Sequence, residues 1–537
     1  MQRKKQIDGL KSNKFDVVII GGGATGAGIA LDAATRGLKV ALVEREDFSS
    51  ETSSRSTKLI HGGVRYLEAA FKHLDKAQFS FVYEALHERG IMINQAPYLS
   101  SVLPIIIPVY SEFEKLYFFS GLKVYEWMAG KRRLLPTTLL NRSEVIKYFP
   151  LLKEKNLKGG VSYCDGIFDD ARMNLIVVLT AINRGAVISN YVEAKELVKK
   201  NGKIVGVRVE DVFSKEEWVI ETDVVVSATG PFTDSILKMD DPDYDSMVEP
   251  SLGTHLVLEP LYTPPHMGLL IPKTEDGRLL FVLPWQEHVI LGTTDVETKT
   301  EFHPKVPDND VDYLLEHMGQ YYKKIPLKTE ITSKWAGIRP LAKEGVFGST
   351  ASISREHVIR ITPSGLIVIA GGKWTSYRKM AEDVVDEIIK VFSINPKSKC
   401  ITKDIKLIGA ERYKFEIIEE LQNTYKIDKS IAKHLIQTYG DLAFEVAKIA
   451  KDGYNEKIVD GYPYIEAEIV WAIKNEMSQT LIDLLSRRMR LAFLNQNKAQ
   501  EAIDHVCDLV SKIPEYESPM SMDILKMEAM SRFKYDV

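Results

Sequence analysis

The sequence contains few cysteines, no long apolar run and almost no net charge, and each absence argues against a class of protein. Its three cysteines, Cys164, Cys400 and Cys507, form no CxxC pair in 537 residues, so neither a disulfide framework nor a metal site is predicted. No apolar run approaches the roughly 20 residues that cross a bilayer. A net charge of −4 gives no overall attraction to nucleic acid, and no nucleic-acid partner is expected.

The N-terminus also lacks an obvious targeting signal. Residues 1–5 are largely basic, but no apolar core follows them, which argues against a secretory signal peptide. Only about a dozen residues precede the first predicted strand, too few for an obvious mitochondrial transit peptide. We expect residues 1–13 to form a short N-terminal tail.

The chain does contain a strand, a glycine turn and a helix within residues 15–36. The pattern predicts an apolar strand over 15–20, a helix over 24–36 and a second apolar strand over 39–44. Near-continuous apolar strands of this kind are typical of a central parallel sheet. Gly21, Gly23 and Gly26 have the GxGxxG spacing, which permits a tight turn and close approach of backbone N–H groups to a pyrophosphate. Glu44 ends the second strand, where an acid can bind ribose hydroxyls, so the sequence predicts a dinucleotide site.

Two later segments, 224–230 and 366–372, are again apolar strands that end in glycine. One parallel sheet assembled from distant segments is therefore predicted, with a second sheet inserted over about 251–335. Helical periodicity then dominates over 417–425, 431–439 and 466–485. We expect a nucleotide-binding domain interleaved with a substrate domain over 14–392, the substrate part mainly at 96–150 and 251–336, and a helical C-terminal domain over 393–537.

The glycine spacing does not distinguish NAD from FAD, but a late segment favours FAD. Gly371–Thr375 (GGKWT) lies at the start of a predicted helix, where backbone N–H groups can face the pyrimidine carbonyl of a flavin.

Four motifs together resemble one family. They are TSSRSTKLIHGGVRYL at 52–67, SATGPF at 227–232, WAGIRPL at 335–341 and GGKWTSYR at 371–378. They resemble FAD-dependent glycerol-3-phosphate dehydrogenases, most closely the mitochondrial type, and the resemblance runs nearly end to end. It implies an α/β fold like that of D-amino-acid oxidase, with an FAD-binding Rossmann-like domain, an interleaved α+β substrate domain and a helical C-terminal domain. It also implies oxidation of sn-glycerol 3-phosphate to dihydroxyacetone phosphate, with electrons passed to quinone at a membrane.

The motifs and the resemblance place FAD against residues from most of the nucleotide-binding domain. The predicted cofactor-binding residues are Gly21, Gly23, Ala24, Thr25, Gly26, Glu44, Arg45, Ser53, Ser54, Lys58, Leu59, His61, Gly62, Val192, Ala228, Thr229, Gly230, Gly337, Gly372, Lys373, Trp374 and Thr375.

The resemblance also implies the residues that hold and oxidise the substrate. Arg65, Tyr66, Arg339, Arg355 and Lys373 match the family's substrate-binding positions, and a set of cations suits a phosphate dianion. A surface ion pair is the alternative role for each Arg, Arg355 included.

The proton acceptor is one of two histidines, because an unperturbed imidazole titrates near neutral pH. We favour His255 as the base, with Arg339 polarising the C2 oxygen. His61 lies in residues 53–62, here called the flavin-contact segment, and is the alternative. Either histidine can instead be a satisfied structural residue.

Residues 113–133 interleave aromatic and basic side chains, a pattern typical of a helix in a bilayer interface. A core-facing helix with a solvated basic end is the equally weighted alternative. We expect peripheral attachment because the family donates electrons to quinone. The expected location is the mitochondrial inner membrane, with the cytosol or a mitochondrion-derived organelle as alternatives.

Three rival functions remain open from the sequence. They are a glycerol-3-phosphate oxidase that uses O₂, an amine or amino-acid oxidase on the same fold, and a flavin-binding structural protein. A homodimer is compatible with the sequence. Asp241, Asp243 and Asp245 have the first spacings of an EF-hand, but the loop lacks the central glycine and has Leu252 at the position of the bidentate Glu, so no calcium is expected.

Overall fold

The computed structural model describes residues 3–64, 76–272, 274, 277–343, 357–535 and 537. The strands are β1 (Val17–Ile20), β2 (Val40–Val43), β3 (Leu59–Ile60), β4 (Ser100–Val109), β5 (Thr138–Asn141), β6 (Gly159–Phe168), β7 (Val187–Ser189), β8 (Val192–Lys200), β9 (Lys203–Asp211), β10 (Glu217–Glu221), β11 (Val225–Ser227), β12 (Val248–Leu258), β13 (Gly268–Ile271), β14 (Leu280–Trp285), β15 (His288–Gly292), β16 (Val296–Glu297), β17 (Ile331–Ala342), β18 (His357–Ile361) and β19 (Leu366–Gly371). The α-helices are α1 (Arg3–Ser12), α2 (Ala24–Thr35), α3 (Lys76–Gln95), α4 (Glu112–Met128), α5 (Arg142–Tyr148), α6 (Asp170–Asn183), α7 (Thr233–Asp240), α8 (Asp308–Tyr321), α9 (Tyr377–Val391), α10 (Ile417–Tyr425), α11 (Lys429–Tyr439), α12 (Ala443–Lys451), α13 (Glu466–Asn475), α14 (Leu491–Leu494), α15 (Gln496–Val510) and α16 (Met522–Tyr535).

A six-stranded sheet in the order β18-β19-β11-β1-β2-β7 forms the nucleotide-binding domain. Its five strands from β19 to β7 are parallel, and only β18 is antiparallel to its neighbour. Both faces of this sheet are covered. Val17 and Ile19 pack against the helical side, whereas Val18 and Ile20 pack against the antiparallel sheet β10-β9-β8. Burial on both faces explains why these strands read as continuous apolar runs.

The predicted second sheet is present and is larger than the sequence indicated. The strands follow the order β16-β12-β15-β14-β13-β4-β6-β3, with β17 paired to β12 and β5 paired to β6. The long pair β12–β17 sets Ser251 opposite Arg339, Gly253 opposite Gly337 and His255 opposite Trp335. Because side chains alternate along a strand, these residues belong to the same face of the sheet.

The N-terminal residues differ from the predicted tail. They form α1, in which Leu10 is buried in the core and Arg3 pairs with Asp211 at 2.5 Å. Helix α1 packs Leu10 against the core, and this buried face distinguishes the segment from an exposed tail.

The C-terminal region is helical, as predicted, but the helix expected over 466–485 is interrupted. Helix α13 ends at Asn475, Met477 has a φ of 53°, and a π-helix follows at Asp483–Arg488. The interruption coincides with buried ion pairs that cross to the nucleotide-binding domain. Glu476 pairs with Arg172, and Arg487 and Arg488 both pair with Asp47. The domain division at 392/393 stays a prediction.

Candidate active site

A cleft of about 320 Å³ lies at the carboxyl ends of the parallel strands. It is lined by the turn after β1, the end of β2, the start of β8, the turn after β11 and the turn after β19. In open α/β sheets, ligands bind at this edge. The fold therefore places the predicted glycine turn and Glu44 in one cleft.

The glycine turn has the geometry of a phosphate cradle. Gly21 has a φ of 112°, and a Cβ there would lie 2.5 Å from the Ala228 carbonyl oxygen. A Cβ on Gly26 would lie 1.9 Å from the Gly21 carbonyl oxygen, so helix α2 can start only with glycine at this position. The N-terminus of α2 thus faces the cleft and supplies partial positive charge to a pyrophosphate. These residues fit a bound dinucleotide.

Glu44 is fixed by backbone N–H groups at the end of β2. Its carboxyl oxygens accept hydrogen bonds from Gly22 N at 2.6 Å and Glu46 N at 2.8 Å. Burial raises the pKa of Glu44 to about 7, against the opposing effect of those two hydrogen bonds. The carboxyl group is therefore held rigidly at the place where the sequence predicts ribose binding.

The turn after β19 forms hydrogen bonds with both ends of the flavin-contact segment, residues 53–62. Trp374 Nε1 donates to the Ser53 carbonyl oxygen at 2.9 Å, and His61 N donates to Thr375 Oγ1 at 3.1 Å. Gly372 has a φ of 84°, and a Cβ there would lie 2.4 Å from Met380. The two predicted motifs, far apart in sequence, therefore form one structural unit beside the cleft.

His255 lies on the face of β12 that the flavin-contact segment crosses. It is 2% exposed, stacks on Trp335 with ring centres 5.3 Å apart, and its Nε2 is 2.8 Å from Thr57 Oγ1. Its Nδ1 is buried without a hydrogen-bond partner among the described residues. Burial holds the pKa of His255 well below its ordinary value, and the charges of Lys58 and Arg339 act in the same direction. The imidazole is neutral and is able to accept a proton.

His61, within the flavin-contact segment, is half-buried. Burial lowers the pKa of His61 to about 3, and the charges of Lys373 and Arg89 contribute. Both candidate bases are therefore in the proton-accepting form at neutral pH.

Arg339 and Lys373 are both close to this region but in different settings. The guanidinium of Arg339 lies over Gly253 and donates to Thr293 Oγ1 at 3.0 Å and the Thr294 carbonyl oxygen at 3.1 Å. Lys373 lines the cleft, and its Nζ lies 4.6 Å from the centre of the Phe81 ring. Arg65, Tyr66 and Arg355, the other predicted substrate-binding residues, lie outside the described residues.

The side chain of Lys58, a predicted cofactor-binding residue, lies outside the cleft lining. Its ammonium group is fully buried, donates to Asp170 and to the Ser54 carbonyl oxygen, each at 2.6 Å, and lies 4.9 Å from the Trp335 ring. Burial lowers the pKa of Lys58 to about 7, although the charge of Asp170 opposes the shift. This side chain supports the flavin-contact segment from behind, because a buried carboxylate binds it there.

The other predicted cofactor residues divide into two groups. The first group lines the cleft and comprises Gly21, Gly23, Ala24, Thr25, Glu44, Arg45, Ser53, Val192, Ala228, Thr229, Gly230, Gly372, Lys373 and Trp374. The second group lies outside this lining and comprises Gly26, Ser54, Leu59, His61, Gly62, Gly337 and Thr375. Within the second group, His61 N donates to Thr375 Oγ1, a bond that joins the two motifs beside the cleft.

Sequence reasoning missed a loop that closes one side of the cleft, residues 298–307, here called the cleft loop. Phe302 lines the cleft, stacks on Phe232 with ring centres 4.0 Å apart, and lies 4.0 Å from the Arg45 guanidinium. His303 bridges two carboxylates, Glu46 at 3.0 Å and Glu51 at 2.7 Å. The acidic residues after β2, Glu46, Asp47 and Glu51, are a local signal for a basic partner, but nothing local identifies His303 as that partner.

The comparisons with known proteins agree with this architecture. A sequence profile described as "FAD dependent oxidoreductase" matches residues 16–378, and one described as "C-terminal domain of alpha-glycerophosphate oxidase" matches residues 400–517. The chain is 42% identical over 548 residues to "Glycerol-3-phosphate dehydrogenase, mitochondrial" of Mus musculus, covering 99% of this chain and 75% of that one. It is 40% identical over 512 residues to "Probable glycerol-3-phosphate dehydrogenase" of Encephalitozoon cuniculi, covering 95% and 83%.

A solved structure shows the same fold along the whole chain. Glycerol-3-phosphate dehydrogenase from Bacillus halodurans, complexed with FAD, superposes with a TM-score of 0.80 at 28% identity and covers 99% of this chain and 97% of that one. The fold and cleft thus define an FAD-dependent oxidoreductase, and the predicted fold class and cofactor are confirmed. Within that class, the chain belongs to the glycerol-3-phosphate dehydrogenase family.

Proposed function

We propose that this protein oxidises sn-glycerol 3-phosphate at C2 to dihydroxyacetone phosphate. The observation that carries the proposal is that strand β17 borders the FAD cleft at Pro340 and, at the neighbouring Arg339, belongs to the sheet face that holds the neutral His255. Lys373 lines the cleft, and Arg339 shares the face of β12 and β17 with His255. Bound FAD supplies the acceptor for the hydride that leaves C2.

The chain's own residues bind the phosphate and take the hydroxyl proton. Lys373 and Arg339 attract the phosphate dianion, together with Arg65, Tyr66 and Arg355. His255 accepts the C2 hydroxyl proton, and Arg339 polarises the C2 oxygen as the proton leaves. His61 is the alternative base, because its imidazole is also neutral.

Anaerobic reduction of the flavin tests this proposal directly. Addition of glycerol 3-phosphate to the holoenzyme should bleach the oxidised-flavin absorbance, whereas glycerol and D- or L-amino acids should not. An unbleached flavin contradicts the proposal and favours a flavin-binding structural protein. Bleaching by an amino acid instead favours an amino-acid oxidase, although the cations in the pocket argue against that function.

The electron acceptor is proposed to be a quinone, with O₂ as the rival. Relatives named dehydrogenase support the quinone. Turnover with a soluble quinone analogue should exceed the rate of hydrogen peroxide production by at least an order of magnitude. The reverse ratio favours a glycerol-3-phosphate oxidase.

Peripheral attachment to a membrane through helix α4 follows from the same proposal. Phe113 is 78% exposed, Leu116 67% and Trp127 80%, while Leu122, Tyr125 and Met128 of the same helix are buried in the core. Lys131 and Arg133, also exposed, follow the helix. An exposed apolar face beside basic residues suits an anionic lipid surface. Among the described residues, no helix has the length and apolarity needed to cross a membrane.

Flotation with vesicles tests the attachment. The variant Phe113→Ser with Trp127→Ser should lose binding to cardiolipin-containing vesicles and keep its FAD, because neither side chain belongs to the core. The exposed pair Leu327→Ser with Phe415→Ser, 66% and 68% exposed elsewhere on the surface, serves as the control. Equal flotation of both variants rules out α4 as the anchor. Relatives named mitochondrial support a mitochondrial location, and we propose the inner-membrane surface.

A further inference from the structure

A buried hydrogen-bond chain connects helix α4 to the flavin-contact segment. Tyr125 of α4 is 2% exposed, and its hydroxyl accepts from Gly62 N at 2.7 Å. The same hydroxyl donates to Asp165 Oδ1 at 2.9 Å, and Arg89 Nη1 donates to that oxygen at 2.6 Å. Tyr125, Asp165 and Arg89 have no role in the reaction proposed above.

The donors of this network converge on the Asp165 carboxylate, which accepts from both Tyr125 and Arg89. Burial and the neighbouring Asp165 carboxyl keep the pKa of Tyr125 well above its ordinary value, so the phenol retains its proton and donates it toward Asp165. Its oxygen then accepts from the Gly62 amide. Arg89 also donates to the Cys164 carbonyl oxygen at 3.0 Å, which fixes the far end on β6.

These bonds fix the backbone immediately after His61. The His61 amide donates to Thr375 Oγ1, and the next amide, that of Gly62, donates to Tyr125. Two successive N–H groups are therefore tied to two different elements, the turn after β19 and helix α4. Position 62 accepts no side chain, because a Cβ on Gly62 would lie 2.7 Å from Leu86 of α3 and 2.9 Å from the Tyr125 hydroxyl oxygen of α4.

We propose that Tyr125 is a positioning residue that sets the His61–Gly62 backbone against the Lys373–Thr375 turn and so orients His61 at the flavin. The inference rests on the proposed function for its kinetic consequence only. The Tyr125→Phe variant keeps the ring and its packing but leaves the buried Gly62 N–H without an acceptor, a loss that is costly in a dry interior.

Hydrogen exchange of the Gly62 amide in the holoenzyme tests the geometry. In the wild type this amide should exchange slowly, and in Tyr125→Phe it should exchange at least about tenfold faster, as loss of one buried hydrogen bond implies. Tyr163→Phe is the matched control, because Tyr163 is equally buried and packs edge-on against Tyr125 with ring centres 6.3 Å apart. Fast exchange of the wild-type amide overturns the proposal even if the variant does not fold.

Kinetics and spectra test the consequence. Tyr125→Phe should lower kcat for glycerol 3-phosphate about tenfold with little change in KM, and should shift the flavin spectrum seen on adding a substrate analogue. Wild-type kcat and spectrum in a folded Tyr125→Phe variant overturn the proposal. If the wild-type flavin is not bleached by glycerol 3-phosphate, the proposed function fails while the exchange experiment still decides the role of Tyr125.

Discussion

Two histidines with similar chemistry but different surroundings are candidates for the base: His61 belongs to the flavin-contact segment, and His255 contacts the segment through Thr57. His255 is enclosed between Trp335 and Gly292 and bonded to Thr57, whereas His61 is half-buried beside Lys373. Burial lowers the pKa of both. As the pH falls, a base loses activity only when it becomes protonated, so a lowered pKa moves the acid limb of the rate profile below pH 6.5.

The first prediction separates the two histidines. His255→Asn should lower the rate of flavin reduction by about 10²–10⁴-fold, because a general base contributes on that order. His61→Asn should have a smaller effect and should change the flavin spectrum. Stopped-flow reduction at saturating substrate between pH 5 and 8 measures both, and the limiting wild-type rate should stay flat across that range. A larger loss in His61→Asn would transfer the role of base to His61.

Single residues could be predicted from the sequence where the backbone geometry allows only one residue type. Gly21 and Gly26 were predictable because no other residue fits their turn. The role of Lys58 was not, because the carboxylate that binds it, Asp170, lies 112 positions away. The motif has the same sequence whether the ammonium group of its lysine faces the ligand or the core, so the sequence does not distinguish the two positions.

Around the cleft, the secondary-structure elements that could be predicted are those whose own residues carry the pattern. Strands β1 and β2 and helix α2 were predictable from apolar runs and a glycine turn. The cleft loop was not, because it gains its position from contacts with Phe232, Arg45, Glu46 and Glu51 rather than from its own pattern. The end of helix α13 at Asn475 was also not predicted, because Glu476, the next residue, forms an ion pair with the distant Arg172.

The second prediction concerns the cleft loop and retention of FAD. Burial alone would raise the pKa of Glu46, but the hydrogen bond and charge of His303, with the charge of Arg487, lower it to about 2. A carboxylate whose pKa is depressed on folding contributes stability above its ordinary value near 4.5, and that stability is lost as the pH falls toward 2. Wild-type FAD should therefore stay bound at pH 5–8 and be released progressively below about pH 4.5.

The variant His303→Gln should release FAD about fivefold faster at pH 7, because a partly exposed charged hydrogen bond contributes on the order of 1 kcal/mol. Recovery of flavin fluorescence after dilution measures the release rate. His266→Gln, an exposed histidine of the same domain, should release FAD at the wild-type rate. Equal release rates in the two variants would remove the cleft loop from cofactor retention.

At the scale of the whole molecule, buried charges rather than apolar contact alone join the C-terminal helices to the nucleotide-binding domain. Asp47 lies after β2, next to the cleft residue Glu46. Its Oδ2 forms ion pairs with Arg487 Nε at 2.6 Å and Arg488 Nη1 at 2.7 Å. Arg490 pairs with Asp170 at 3.0 Å, directly behind the flavin-contact segment. The sequence indicated a helical C-terminal region, but it did not indicate these pairs, because each partner is more than 300 positions away. The C-terminal region thus helps to fix the FAD site.

The third prediction tests this connection. Burial would raise the pKa of Asp47, but Arg488 and Arg487 lower it to about 2, so the carboxylate is charged at neutral pH. Asp47→Asn leaves two buried guanidinium groups partly uncompensated and should cost about 3 kcal/mol of the free energy of unfolding. Urea unfolding monitored by flavin fluorescence should show FAD release and loss of C-terminal structure at the same, lower urea concentration.

The double variant Asp47→Asn with Arg488→Met should recover part of the loss, because it removes one unpaired charge together with its partner. Asp504→Asn, a carboxylate 77% exposed on α15, should unfold like the wild type. If Asp47→Asn unfolds at the same urea concentration as Asp504→Asn, the ion pairs do not secure the C-terminal helices, and the apolar contacts of Trp335 with Phe493 must hold them instead.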